Sequence, residues 1–155
     1  MRCIKYLGVV FAGALISGAL YQWNSERTEK SQIPGELISV AGHQFHLFCK
    51  GQGSPLVMLE NGLWGSYPDW LYIIEGMSQT TKVCAYDRLG LGWSSNNDKP
   101  TRDKDVVRYL HDLRRAASLE GPMVLVGFSA GGLYVREYYK EFSEDVQGML
   151  LIDSS

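Results

Sequence analysis

The sequence predicts an α/β domain built on a mostly parallel sheet with helices on both faces. Three observations carry that prediction. Short apolar runs alternate with helical patterns from Glu36 onward, which is the signature of a sheet layered between helices. Four of the runs, "LVMLE", "KVCAY", "MVLVGF" and "VQGMLLID", are apolar almost throughout rather than alternating. Strands buried on both faces read that way. Finally, Gly127-Phe128-Ser129-Ala130-Gly131 places a serine between two glycines where one such run gives way to a helical pattern.

The elements follow in order. "ELISV" and "HQFHLFC" flank Ala41-Gly42 and read as a hairpin. After the loop "GQGSP", "LVMLE" is a strand, and "NGLWGSYPDW" leads into a weak helical pattern through Leu71, Ile74 and Met77. "KVCAY" is the next strand, and "DRLGLGWSSNNDKP" is a glycine- and asparagine-rich loop. A clearer helix follows, with Thr101 as the expected N-cap and Asp103 and Asp105 at the positive end of its dipole. Val106, Leu110, Leu113 and Ala117 share its apolar face, leaving Lys104, Arg108, His111 and Arg115 to water. "MVLVGF", a helix over about 130–142, and "VQGMLLID" complete the order β-β-β-α-β-α-β-α-β.

The first 35 residues have a different character. Arg2 and Lys5 precede an uncharged run, Tyr6 to Trp23, within the roughly 17–25 residues that cross a bilayer as a helix. Two readings stay open: an uncleaved anchor, or a signal peptide cut near Ser17-Gly18-Ala19. Either leaves residues 1–5 as a cytoplasmic flank, 24–35 as a polar tether and 36–155 as a domain outside the cytoplasm. The expected address is therefore the cell membrane, single-pass, with secretion as the alternative. The chain has 15 basic and 17 acidic residues and no basic cluster, so no nucleic-acid partner is expected. Three cysteines, Cys3, Cys49 and Cys84, have no metal-ligand spacing, and neither a metal nor an organic cofactor is implied.

Ser129 is the candidate nucleophile. A sharp strand-to-helix turn lifts a serine hydroxyl above a sheet, and the crowding explains Gly127 and Gly131 beside it. Gly132 lets the helix pack closely, and the helix N-terminus supplies N–H groups able to stabilise an oxyanion. With "VMLENG", "CAYDRLGLGWS", "LVGFSAGG" and "GMLLIDSS" in this order, the chain resembles the α/β-hydrolase superfamily. The likeness lies in the broad branch of proline iminopeptidases, esterases and epoxide hydrolases, and it covers about residues 36–155. The resemblance implies a serine hydrolase of carboxylic esters or related acyl bonds, with a small ester-like substrate. It also implies oxyanion donors at Ala130 and Leu63, and a buttressing loop in which Asp87 and Arg88 form a structural ion pair. Asn61 stands where many relatives have histidine, a departure expected to matter little because the donor is main chain. The family's strand order further brings Cys49 and Cys84 within reach of a disulfide.

The resemblance also exposes what is missing. In this fold the histidine follows the serine and the acid, yet His43, His46 and His111 all precede Ser129. They are expected to be surface or hairpin residues. Among Glu137, Glu141, Glu144, Asp145 and Asp153, only Asp153 ends a strand at the edge where active-site loops emerge. It is the one candidate acid, or else a turn anchor. The lid and the last two strands of the family have no counterpart, so about six strands are expected, with "GMLLI" as an unprotected edge open to association. A truncated, inactive hydrolase is the expected reading. A membrane-tethered pseudo-hydrolase that acts as an interaction module is the alternative.

Overall fold

The computed structural model describes residues 12–24, 33–97 and 101–154. The chain divides into two units, Met1–Pro34 and Gly35–Ser155. In the first, residues 12–24 are helical. Among the described residues no helix is long and apolar enough to cross a membrane. Residues 6–11 of the expected span, and most of the tether, lie outside the described residues.

The second unit contains β1 (Glu36–Val40), β2 (His43–Lys50), β3 (Leu56–Glu60), α1 (Leu71–Met77), β4 (Val83–Tyr86), α2 (Asp103–Ala116), β5 (Met123–Phe128), α3 (Gly131–Glu141) and β6 (Val146–Ile152). The sheet order is β1-β2-β4-β3-β5-β6. The β1–β2 and β2–β4 pairs are antiparallel, and the rest are parallel. This is the α/β architecture expected from the alternating runs. The hairpin turn holds Ala41 and Gly42 at φ of 49° and 83°, the pair of positive φ angles that suits a two-residue hairpin.

Burial explains the continuous apolar runs. Every residue of β3 is buried. Leu56 and Met58 join a core with Leu110 and Leu113 of α2 and Val135 and Tyr138 of α3. Val57 and Leu59 face the other way, against Trp70 and Ile74. A side-chain period of two thus feeds two cores from one strand.

The start of α2 departs from expectation. Arg102, not Thr101, occupies the N-cap position, with extended backbone and no side-chain cap bond. Its guanidinium instead reaches forward to Asp105 at 2.8 Å, while the Thr101 hydroxyl accepts from Asn97. His111 is also not on a wet face. Its ring stacks on Phe142 at 4.0 Å, because the exit from α3 folds over that side of α2.

Cys49 and Cys84 lie opposite one another in the β2–β4 register and are joined by a disulfide. Closing a loop with a sequence separation of 35 is worth about 4 kcal/mol on the chain-entropy account. Protein recovered from an oxidising compartment should resist thiol alkylation at both positions until reduced, and reduction should lower its unfolding free energy by up to that amount. Labelling of both cysteines without reductant argues against the bridge.

β6 is an edge strand, with Met149 39% and Leu150 54% exposed on its two faces. Natural edges usually carry charge or proline, and this strand has neither. Leu150→Lys should reduce hydrophobic-dye binding and light scattering at equal concentration. Equal signals from the two proteins would show that β6 is not the sticky surface.

Candidate active site

β5 ends at Phe128 and α3 begins at Gly131, which leaves Ser129 and Ala130 to make the whole turn. Ser129 adopts φ 51°, a left-handed conformation that costs a non-glycine residue roughly 1–2 kcal/mol. It is exposed. The turn closes because its flanks have no side chains. A Cβ on Gly127 would lie 2.7 Å from the Gly132 Cα. One on Gly131 would strike the backbone oxygens of Glu60 and Asn61, and one on Gly132 the Ser154 side chain.

Hydrogen bonds from neighbouring segments hold the strained residue. The Ser129 N–H donates to Ile152 O at 3.0 Å, and the Gly132 N–H donates to Ser129 O at 3.0 Å. The Ser154 hydroxyl also donates to Ser129 O, at 2.8 Å. Asp153 itself has φ 45°, and this reversal sends the chain back toward Ser129. Its carboxylate makes no ion pair or hydrogen bond among the described residues.

The loop after β3 faces this turn. The Asn61 side chain organises it by accepting from Gly62 N–H at 2.9 Å and donating to Ser66 O at 2.7 Å and to Asp69 at 3.0 Å. Asn61 is therefore a buried loop fastener. A Cβ on Gly62 would sit 3.3 Å from the Phe128 ring and 3.5 Å from the Ser129 Cβ, so the loop passes directly against the Ser129 turn, the elbow between β5 and α3. Among the described residues, the N–H groups of Leu63 and Ala130 donate to no protein acceptor. Leu63 and Ser129 line a cavity of about 580 Å³, together with Trp64, Trp70, Phe128 and Ile152.

Asp87 and Arg88 do not pair with each other. Asp87 is fully buried and accepts from His46 Nδ1 at 2.8 Å, Tyr67 N–H at 2.7 Å and Trp93 N–H at 3.0 Å. Arg88 pairs with buried Glu60, which also accepts from the Tyr86 hydroxyl. Burial pushes the Glu60 carboxyl above its ordinary range, against the opposing pull of Arg88 and Tyr86. The Tyr86 phenol is pushed far up by burial and by the adjacent carboxylate.

The histidines are all engaged elsewhere. His46 is completely buried, not a surface residue, and sits between Tyr67 and Trp93 at 4.9 and 5.0 Å. His43 lies edge-on to Tyr109. Among the other acids, Glu137 pairs with Lys140, Glu141 with Arg108 and Asp145 with Arg114. No cluster of His, Cys, Asp or Glu among the described residues is arranged to hold a metal.

The alpha/beta hydrolase fold family matches residues 55–155. The chain belongs to that family. It is 28% identical over 151 residues to an uncharacterised protein of Schizosaccharomyces pombe, covering 78% of this chain and 28% of that one. It is 26% identical over 133 residues to the 2-hydroxy-6-oxo-6-(2'-aminophenyl)hexa-2,4-dienoic acid hydrolase of Metapseudomonas resinovorans, covering 84% and 46%. The fold matches the meta-cleavage product hydrolase CumD of Pseudomonas fluorescens IP01 with a TM-score of 0.70 at 24% identity, covering 79% of this chain and 46% of that one. The α/β-hydrolase chain spans less than half the length of these relatives.

Asp87 offers a direct test of the frame beneath the loops. Asp87→Ala removes the shared acceptor of the His46 ring and the Tyr67 and Trp93 N–H groups, and should cost about 3–5 kcal/mol in urea unfolding. Asp87→Asn should cost less. A loss below about 1 kcal/mol for the alanine variant would mean that water replaces the carboxylate.

Proposed function

We propose that Ser129 is the nucleophile of a serine hydrolase acting on carboxylic esters or related acyl compounds with an apolar acyl part. The observation that carries this reading is the strained, exposed Ser129 lining an apolar cavity, near two N–H groups, those of Leu63 and Ala130, that meet no acceptor among the described residues. Ser129 Oγ attacks the carbonyl carbon, and its proton passes to a base. The carbonyl oxygen, now negative, accepts from the N–H groups of Leu63 and Ala130. Collapse breaks the acyl–oxygen bond, the alcohol leaves with a proton, and water then releases the acid.

On this reading none of the three histidines serves as its base, since none follows Ser129 and all three are engaged elsewhere. Asp153 is retained as the candidate acid on its position at the end of β6. The same engagement of the histidines favours a second reading, a non-enzymatic interaction module. For either, we infer a membrane anchor or export signal at residues 6–23 and an address outside the cytoplasm. Arg2, Lys5, the uncharged run and the disulfide support that inference.

The test is fluorophosphonate labelling of the full chain with and without free imidazole. The Ser129 Oγ–P bond forms, P–F breaks, fluoride leaves, and the hydroxyl proton goes to imidazole. Labelling should be slow alone, rise about tenfold or more with imidazole as the general base, and vanish in Ser129→Ala. Fast labelling without imidazole would refute the missing base. No labelling under either condition would leave the interaction module as the better reading.

A further inference from the structure

We propose that Arg88 is the positioning residue of the oxyanion loop, setting the direction in which its free N–H groups point. The proposal rests on the reading of Ser129 as nucleophile. Arg88 is buried. Its Nη1 donates to Glu60 and to Asn61 O at 2.7 Å. Its Nη2 donates to Gly62 O and to Leu63 O at 2.9 Å. One guanidinium thus gathers three consecutive carbonyls.

That convergence dictates where the N–H groups go. Among the described residues the one cis peptide bond is Ser54–Pro55, so the loop peptides are trans. In a trans peptide the carbonyl and the following N–H point in opposite directions. Carbonyls 61, 62 and 63 face Arg88, so the N–H groups of Gly62, Leu63 and Trp64 face away from it. Asn61 Oδ1 takes the first at 2.9 Å. The Leu63 and Trp64 N–H groups remain, on a loop that touches the Ser129 turn. A cation on the carbonyl side also polarises each peptide and strengthens its N–H as a donor.

The clamp is itself fixed on several sides. Glu60 at the end of β3 neutralises the guanidinium, and Tyr86 of β4 bonds the same carboxylate. The Tyr134 ring of α3 lies 5.2 Å from the guanidinium carbon. Arg88 therefore couples the oxyanion loop to the helix that carries the elbow. Lysine retains the charge but not the planar fork that serves several acceptors at once.

The experiment measures imidazole-assisted labelling of Ser129 by an alkyl fluorophosphonate across probe concentrations, separating KI from kinact. Arg88→Lys should lower kinact by about 10–100-fold, below the full value of an oxyanion donor, with KI within about twofold. Val107→Ala, a core truncation on α2, should lower the melting temperature and leave kinact unchanged. Wild-type kinact in Arg88→Lys overturns the proposal. So does a rise in KI matching the fall in kinact, which would indicate general loosening. Absence of wild-type labelling sinks the nucleophile reading instead, and a second measurement then decides this one. The amide proton resonances of Leu63 and Trp64 should move upfield in Arg88→Lys and hold still in Val107→Ala. Unmoved resonances in Arg88→Lys overturn the clamp whatever the labelling does.

Discussion

A serine in a left-handed backbone conformation can sit at a strand tip only where its surroundings are almost entirely main chain. That constraint at Ser129 organises its neighbours. α3 must start against the end of β3, and a side chain on Gly131 would collide with the Glu60 and Asn61 carbonyl region. β5 and α3 must approach at Gly127 and Gly132, leaving no space for a Cβ between them. β6 must end level with the turn, because Ile152 O receives the Ser129 N–H. The strain of roughly 1–2 kcal/mol is small beside the burial of β3 and β5 between two cores. The sheet can therefore carry it.

Beneath the loops lies a layer of buried polar groups: His46, Glu60, Asn61, Asp87 and Arg88. Buried charges contribute little net stability compared with apolar residues of similar size, but breaking one pair is expensive. Their value here is geometric. Asp87 joins the β2 strand to the loops that follow β3 and β4. Asn61 and Arg88 leave the post-β3 loop few alternative conformations. An apolar core could support those loops, but it could not fix which way their peptide planes face.

The features legible in the sequence are those with local causes. Continuous apolar runs marked the buried strands because each strand needs both faces covered. The glycines around Ser129 marked the turn because crowding there excludes side chains. His46 lies in the expected hairpin, but its burial was not legible because what covers it is remote: Tyr67 and Trp93 arrive from loops with no periodicity. The helical spacing of α2 correctly separated Leu110 from Lys104, yet Phe142 from the end of α3 covers His111. Thr101 has the right chemistry for a cap, but Asn97 claims its hydroxyl. The resemblance suggested that Asp87 pairs with Arg88, whereas Asp87 meets His46 of β2 and Arg88 meets Glu60 of β3. The one available sequence signal was the acid in "LENG", Glu60, which offered Arg88 a partner twenty-eight positions away.

The exposed edge strand and the cavity meet at one place. Ile152 is the last residue of β6 and also walls the cavity beside Ser129. In parallel sheets, ligand-binding loops emerge at the carboxyl ends of the strands. A strand added in parallel to β6 would end beside Ile152, and the loop leaving it would enter the region of Ser129. A segment placed there would cover Met149 and Leu150 and bring its own side chains to the serine hydroxyl. The hydrophobic effect would dock it, main-chain hydrogen bonds would set its register, and that register would determine which side chain reaches the serine hydroxyl.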